Sequence, residues 1–156
     1  MEQILSELLV ETPGEGFIDI TYAINQWIVN NKIIKGILVL SIQHTSCSLT
    51  INENADPTVL DDLLSFIRAL VPEEGIKTSN QHSKYVPYRH ASEGLDDMPA
   101  HIKTALTCST LSLSIDKGKL ILGTWQAIYL WEHRYNKHSR KILLHAIGEV
   151  RKFNEE

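Results

Sequence analysis

Two cysteines in 156 residues leave little room for thiol chemistry. Cys47 and Cys108 stand far apart with no C-x-x-C spacing, so neither a redox pair nor a zinc ribbon is available. Both fall in alternating, strand-like segments and are expected to be buried free thiols. Basic surplus is also missing. A formal charge of -4 argues against a protein that coats nucleic acid. No apolar run is long enough for a membrane span: the longest, residues 33–42, is broken by Lys35 and Gly36 and falls far short of ~20 residues. The start, Met1-Glu2-Gln3, lacks the basic opening of a signal peptide, and Glu7 and Glu11 interrupt the apolar residues behind it. A cytoplasmic location is therefore expected. Repeats, low-complexity tracts and long linkers are absent as well.

What remains is an ordinary globular composition, 43% hydrophobic and 22% charged. One domain over residues 1–156 is expected, able to bury ~70% of its unfolded surface without disulfides or metal staples. Residues 3–10 read as an opening strand, and Pro13, Gly14 and Gly16 as a turn. Ile20, Ala23, Ile24, Trp27 and Ile28 recur at helical spacing behind Asp19 or Thr21 as cap, with Asn30, Asn31 and Gly36 as stop signals. Residues 37–42 suit a central strand. In 47–51, Cys47, Leu49 and Ile51 alternate inward against outward Ser48 and Thr50. Asp56-Pro57 opens a second helix that Pro72 and Gly75 close. Residues 73–96 carry no period and read as one long loop, a length that usually signals function. A short helix over 97–106 follows, then strands near 111–115, 120–122, 125–132 and 140–149. Strands and helices are segregated, which predicts an α+β fold with a predominantly antiparallel sheet and helices near 20–30, 57–70 and 97–106.

The chemistry-bearing residues cluster at changes of secondary structure. His44 ends an apolar run and opens His44-Thr45-Ser46; His90 ends Tyr88-Arg89-His90; His101 lies in the first turns of the third helix. Three imidazoles suffice for a catalytic zinc with an open fourth position. The same three could instead meet a phosphate as imidazolium groups. Thr45 and Ser46 offer hydroxyls and amides to an oxyanion. Glu132 ends an apolar strand, and a carboxylate there needs a partner: a histidine, an arginine or a metal. Glu53, Asp56 and Asp96-Asp97 suit helix starts. Gly123-Thr124-Trp125-Gln126 reads either as a tight bend around a packed ring or as one wall of a ligand pocket. His133 and His138, among Arg134, Lys137 and Arg140, read as a solvated basic loop; His145 lies within the last strand and His82 in polar loop sequence.

His44-Thr45-Ser46 with Leu49, Ile51, Glu53 and Asp56-Pro57, then Tyr88-Arg89-His90, Asp96-Asp97-Met98-Pro99-Ala100-His101, and Gly123-Thr124-Trp125-Gln126 with Glu132-His133, together resemble the YjbQ-like family over about residues 3–149. That family is named for a secondary thiamine-phosphate synthase activity. The resemblance implies an α+β homotrimer with a small polar site, often near subunit contacts, that can hold a metal; the three histidines make zinc the expected divalent ion. It implies His44, His90 and His101 as ligands, with Thr45, Ser46, Asp97, Gln126 and Glu132 as pocket positions. Cys108 and Ser114-Ile115 depart from the family's pattern, outside the histidine cluster.

The reaction the resemblance implies joins a thiazole phosphate to a pyrimidine methylene with loss of pyrophosphate. Asp97, Glu132 and Gln126 are then the candidate catalytic residues. Thr45, Ser46, Arg89, Lys103 and Thr124 are the candidate contacts to a small phosphorylated or anionic metabolite. Two alternatives stay open: a metal-assisted hydrolase with Glu132 or Asp97 as base, and a non-catalytic module that binds such a metabolite.

Overall fold

The strand pattern resolves into two antiparallel sheets closed over one core. The computed structural model describes residues 1–79 and 84–152. Strand β1 (Glu2–Thr12) pairs with β10 (His138–Val150), which pairs in turn with β3 (Ile33–Ile42); β7 (Thr110–Asp116) and β8 (Lys119–Leu120) complete a five-stranded sheet in the order β1-β10-β3-β7-β8. A second sheet of three strands runs β2 (Gly16–Asp19), β9 (Gln126–Glu132), β4 (Cys47–Glu53). Every pairing is antiparallel. Leu38, Leu40, Ile142 and Leu144 of the larger sheet pack into one cluster with Leu49, Ile128 and Leu130 of the smaller, and with Ile24 and Ile28 of helix α1 (Thr21–Asn30). Burying such side chains is worth about 1.5–3 kcal/mol each, so this contact between sheets dominates the stability.

The three helices stand where periodicity puts them: α1, α2 (Pro57–Leu70) and α3 (Asp97–Leu106). Asp56 caps α2, its carboxylate accepting the amide hydrogen of Thr58 at 2.9 Å, with Pro57 in the first turn. No helix among the described residues is long and apolar enough to cross a membrane.

Several expectations are corrected. Gly36 does not end α1; it lies inside β3 directly opposite Gly148, and a Cβ on Gly148 would come within 2.1 Å of the Lys35 carbonyl oxygen. Two glycines facing each other let the strands close at this point. Ser48 points away from the inter-sheet core but is fully buried, because α3 packs over that side of β4, Thr104 donating to the Cys47 carbonyl at 3.4 Å. Cys108 is exposed, while Cys47 is buried. Residues 73–96 are not without structure: β5 (Ile76–Lys77) and β6 (Tyr85–Val86) form a small hairpin. His82 lies outside the described residues.

Candidate metal centre at the start of the third helix

Asp97 and His101 are four residues apart on α3 and share one face. The loop before the helix returns His90 to that face. His90 Nε2 lies 2.6 Å and His101 Nε2 3.3 Å from Asp97 Oδ2. One ligand atom from each residue falls within 4.8 Å of the others. Asp97 is 1% exposed, whereas the His90 and His101 side chains are 47% and 30% exposed. The group therefore has a buried carboxylate floor and imidazole walls open to solvent, with room for a further ligand.

The donors fit a divalent metal. His101 Nδ1 lies 2.7 Å from the Thr45 carbonyl; donation there leaves the Nε2 lone pair aimed at Asp97. The second oxygen of Asp97, Oδ1, accepts from Arg134 Nη1 at 2.7 Å. The same guanidinium donates to Asp96 Oδ2 at 2.9 Å and to the Glu93 carbonyl at 2.9 Å. Asp96 Oδ2 also accepts the amide hydrogen of Tyr135. Asp96 consequently makes no side-chain cap on α3, contrary to the capping expected of it. Two imidazoles and a carboxylate with an open position suit zinc or another first-row divalent ion.

A second polar group lies behind the first. Glu132 is fully buried and Arg140 is 3% exposed. Arg140 Nε donates to Glu132 Oε2 at 2.7 Å, and Thr12 Oγ1 donates to the same oxygen at 2.8 Å. Arg140 Nη2 donates to Glu132 Oε1, to the Ser46 carbonyl at 3.2 Å and to Ser46 Oγ at 2.9 Å. The amide hydrogen of Arg134 goes to Glu132 Oε1 at 3.0 Å. Burial pushes the Glu132 carboxyl up, but the hydrogen bonds from Arg140, the Arg134 amide and Thr12 outweigh it and hold it below the usual carboxylate range. The pair links the sheets, since Thr12 and Arg140 belong to the larger and Glu132 to the smaller.

Residues 6–149 match the family model described as UPF0047 protein YjbQ-like. The chain belongs to the YjbQ/UPF0047 family. It is 43% identical over 143 residues to UPF0047 protein sll1880 of Synechocystis, covering 92% of this chain and 90% of that one. To UPF0047 protein YjbQ of Escherichia coli O157:H7 it is 41% identical, covering 91% and 96%. Among solved structures, an uncharacterised conserved YjbQ/UPF0047 protein from Clostridium acetobutylicum superposes with a TM-score of 0.75 at 33% identity, over 91% of this chain and 99% of that one.

In this YjbQ-family chain the predicted site residues divide. His90, His101 and Asp97 come together; His44 does not join them. Its Nε2 accepts the amide hydrogen of Lys141 at 2.8 Å, and burial, then the nearby Arg140 charge, lower its pKa. Thr45 reaches the cluster through its carbonyl, and Ser46 serves Arg140. Glu132 has the arginine partner that its position demands. Lys103, 3% exposed, faces Glu15 at 3.6 Å rather than solvent. Thr124 and Gln126 are exposed, and the Gln126 side chain accepts the Gly123 amide hydrogen at 2.7 Å; the segment bends tightly, but the Trp125 ring expected to pack there is 63% exposed. Arg89 is exposed beside His90 in the chain.

Sequence reasoning missed three residues. Arg134 and Arg140 were read as a solvated basic loop, yet one clamps Asp97 and the other is buried against Glu132. His133 is 1% exposed, with Nε2 2.9 Å from Ser48 Oγ. Burial, reinforced by Lys103, pushes its pKa down to about 3. The one available signal was position: His133 directly follows a strand of six consecutive buried residues.

Proposed function

We propose that this protein is a divalent-metal enzyme, zinc being the first candidate, acting on a small phosphorylated metabolite. Its activity would be of the thiamine-phosphate synthase type that the family resemblance implies. The observation that carries the metal is the convergence of His90, Asp97 and His101 with their free atoms already oriented by Thr45 and Arg134. When bound, the metal supplies positive charge for a departing pyrophosphate. The chain's own residues do the remainder. Asp97 offers Oδ2 while Arg134 holds Oδ1; His101 presents Nε2; Arg89, exposed next to His90, meets phosphate oxygens; the exposed Thr45 hydroxyl adds a donor at the same edge.

A hydrolase using Glu132 or Asp97 as base is less well supported. Both Glu132 oxygens are engaged in a solvent-free ion pair, and Asp97 would spend Oδ2 on the metal while Arg134 holds Oδ1. Neither is placed to take a proton from water.

The homotrimer is part of the same proposal. Leu5, Leu9, Ile37, Val39 and Ile147 all lie on the outer side of the five-stranded sheet and are 36–61% exposed. Such an apolar face suits a subunit contact. Light scattering is expected to give three times the 17.7-kDa chain mass; a 17.7-kDa species alone would sink the assembly.

Untagged protein should carry about one equivalent of metal per chain and turn over the two thiamine precursors. His101→Ala should lose both properties. Full metal occupancy in His90→Ala and His101→Ala alike overturns the centre; metal occupancy without turnover of either precursor overturns the reaction.

A further inference from the structure

At the far end of β3 from the candidate metal centre, a cavity of about 610 Å³ lies between the end of α1, the first residues of β3, the β7–β8 turn and the residue after β10. Lys32, Lys117, Lys119 and Arg151 line it, with Val29 and Ile33 in its apolar surface, and no Asp or Glu among the described residues does so. In a chain with 19 acids against 15 bases, four cations around one cavity concentrate the charge of the minority sign. Three of them lack the usual neutralisation: among the described residues, no carboxylate pairs with the side chain of Lys117, Lys119 or Arg151. The backbone holds the walls. The Gly118 amide donates to the Ile34 carbonyl at 2.9 Å and the Arg151 amide to the Lys32 carbonyl at 2.9 Å, so the turn and Arg151 are both tied to the start of β3. Two of the lysines also stand where the backbone suits other residues. Lys32 and Lys117 have φ of 55° and 51°, and no other non-glycine residue among the described ones has a positive φ. Lys32 follows the cap of α1, and Lys117 opens a two-residue hairpin turn. Glycine or asparagine is the less strained choice at both places. Each lysine therefore brings its charge to this cavity at a cost in backbone strain.

We propose that this cavity is a second ligand site, for a small metabolite that joins two or more phosphate groups to an apolar or aromatic body. Convergent cations meet several negative charges at once, and an arginine fork with lysine point charges is a donor set that phosphates use. The apolar surface at Val29 and Ile33 offers a place for a ring, and the volume falls within the ~300–1,000 Å³ of small-molecule pockets. A neutral ligand would leave the cations unmatched, and a cationic one would be repelled. The site goes beyond the metal-enzyme reading and does not depend on it. With ten residues, β3 alone is ~30 Å long, so a ligand here touches none of His90, Asp97 and His101.

ADP, pyrophosphate and adenosine are titrated by calorimetry into the full chain with a chelator present, which keeps phosphate from being drawn to a metal. ADP is expected to bind saturably, at least about tenfold tighter than adenosine, with pyrophosphate between them. Added salt should weaken ADP and leave adenosine unchanged. Lys117→Asn and Arg151→Gln should each weaken ADP about three- to fivefold, and the two together about tenfold. Lys117→Asn puts a favoured residue at the left-handed position, so its melting temperature should not fall and its loss of affinity reports the lost charge. His101→Ala should bind ADP as the parent does. Equal affinity for any two of the three probes, or no ADP binding up to ~1 mM, overturns the proposal. So does undiminished affinity in the folded double variant, or loss of ADP binding in His101→Ala, which would send the phosphates to the metal centre. Binding that emerges only after residues 153–156 are removed also overturns it, because Glu155 and Glu156 then occupy the cavity. The expected ranking in a chain that, free of chelator, takes up no zinc upholds this site while the metal reading fails.

Discussion

Removing the Glu132 carboxylate tests whether that residue supports the fold or performs the chemistry. Glu132 is fully buried and accepts from Thr12, from the Arg134 amide and twice from Arg140. Glu132→Ala leaves the Arg140 guanidinium buried with only the Ser46 carbonyl and hydroxyl as acceptors. Breaking a buried pair from one side costs about 3–5 kcal/mol. Total stability for a domain is about 5–15 kcal/mol, so the variant should be barely folded or unfolded. With an m-value of ~2 kcal/mol/M in urea, the midpoint should fall by ~2 M. Glu132→Leu with Arg140→Met removes both charges and should recover most of the loss, because the desolvation of each ion disappears with it. The pH dependence has a defined sign. The folded pKa of Glu132 lies below its ordinary value of 4.5, so its contribution is fully present above ~4.5 and is lost as pH falls further. In Glu132→Ala that part of the acid limb should flatten. Urea melts of the two variants across pH 3–7 make the measurement. A Glu132→Ala midpoint within 0.5 M of the parent would refute the reasoning. So would a stable variant that binds metal normally and fails only in turnover, since that is the behaviour of a catalytic base.

Three further expectations concern the surrounding residues. Arg134→Lys keeps the charge but loses the fork that holds Asp96, Asp97 and the Glu93 carbonyl; metal affinity by competition with a chelator should fall about 10–100-fold, and unchanged affinity would remove Arg134 from the centre. His133 is buried neutral, its pKa pushed down to about 3 from 6.5, so the unfolded chain binds its proton first; stability should be fully present above 6.5 and decline as pH falls from 6.5 toward 3, and His133→Gln should reduce that slope in pH-dependent urea melts. Burial pushes the Cys47 thiol up to about 12 while Cys108 is exposed; iodoacetamide at pH 8 should label one thiol in native protein and two in denaturant, read by mass spectrometry.

The helices were legible because each carries a local signal: the Ile20–Ile28 stripe, the Asp56-Pro57 start, and Pro99 in the first turn of α3. β2 was not, since Gly16–Asp19 is four residues long with no alternation and exists through its pairing with β9, more than a hundred residues later. Gly36 looked like punctuation because its meaning depends on Gly148 across the sheet. At the site, Asp97 and His101 share a helix face that spacing alone reveals, and His90 is close in the chain. Arg134, His133 and Arg140 were misread for one physical reason: a charged stretch of sequence resembles a solvated loop unless the opposing sheet, with Thr12, Ser46 and Ser48, is known to close over it. His44 shares residue type with His90 and His101 but stands apart from them, and its ring accepts the Lys141 amide hydrogen.

The strand order has a consequence for how the chain is made. In the larger sheet β10 sits between β1 and β3, and in the smaller β9 sits between β2 and β4. Both of these interior strands come from residues 126–150. During synthesis, β1, β2, β3 and β4 therefore emerge first and wait with open edges, and α3 is complete before the Arg134 that clamps it exists. Neither sheet can close until β9 and β10 have left the ribosome. Such long-range pairing slows folding and leaves apolar strands exposed to one another meanwhile. Nascent chains arrested before residue 126 should be protease-sensitive and chaperone-bound, with both sheets closing only once β9 and β10 have emerged.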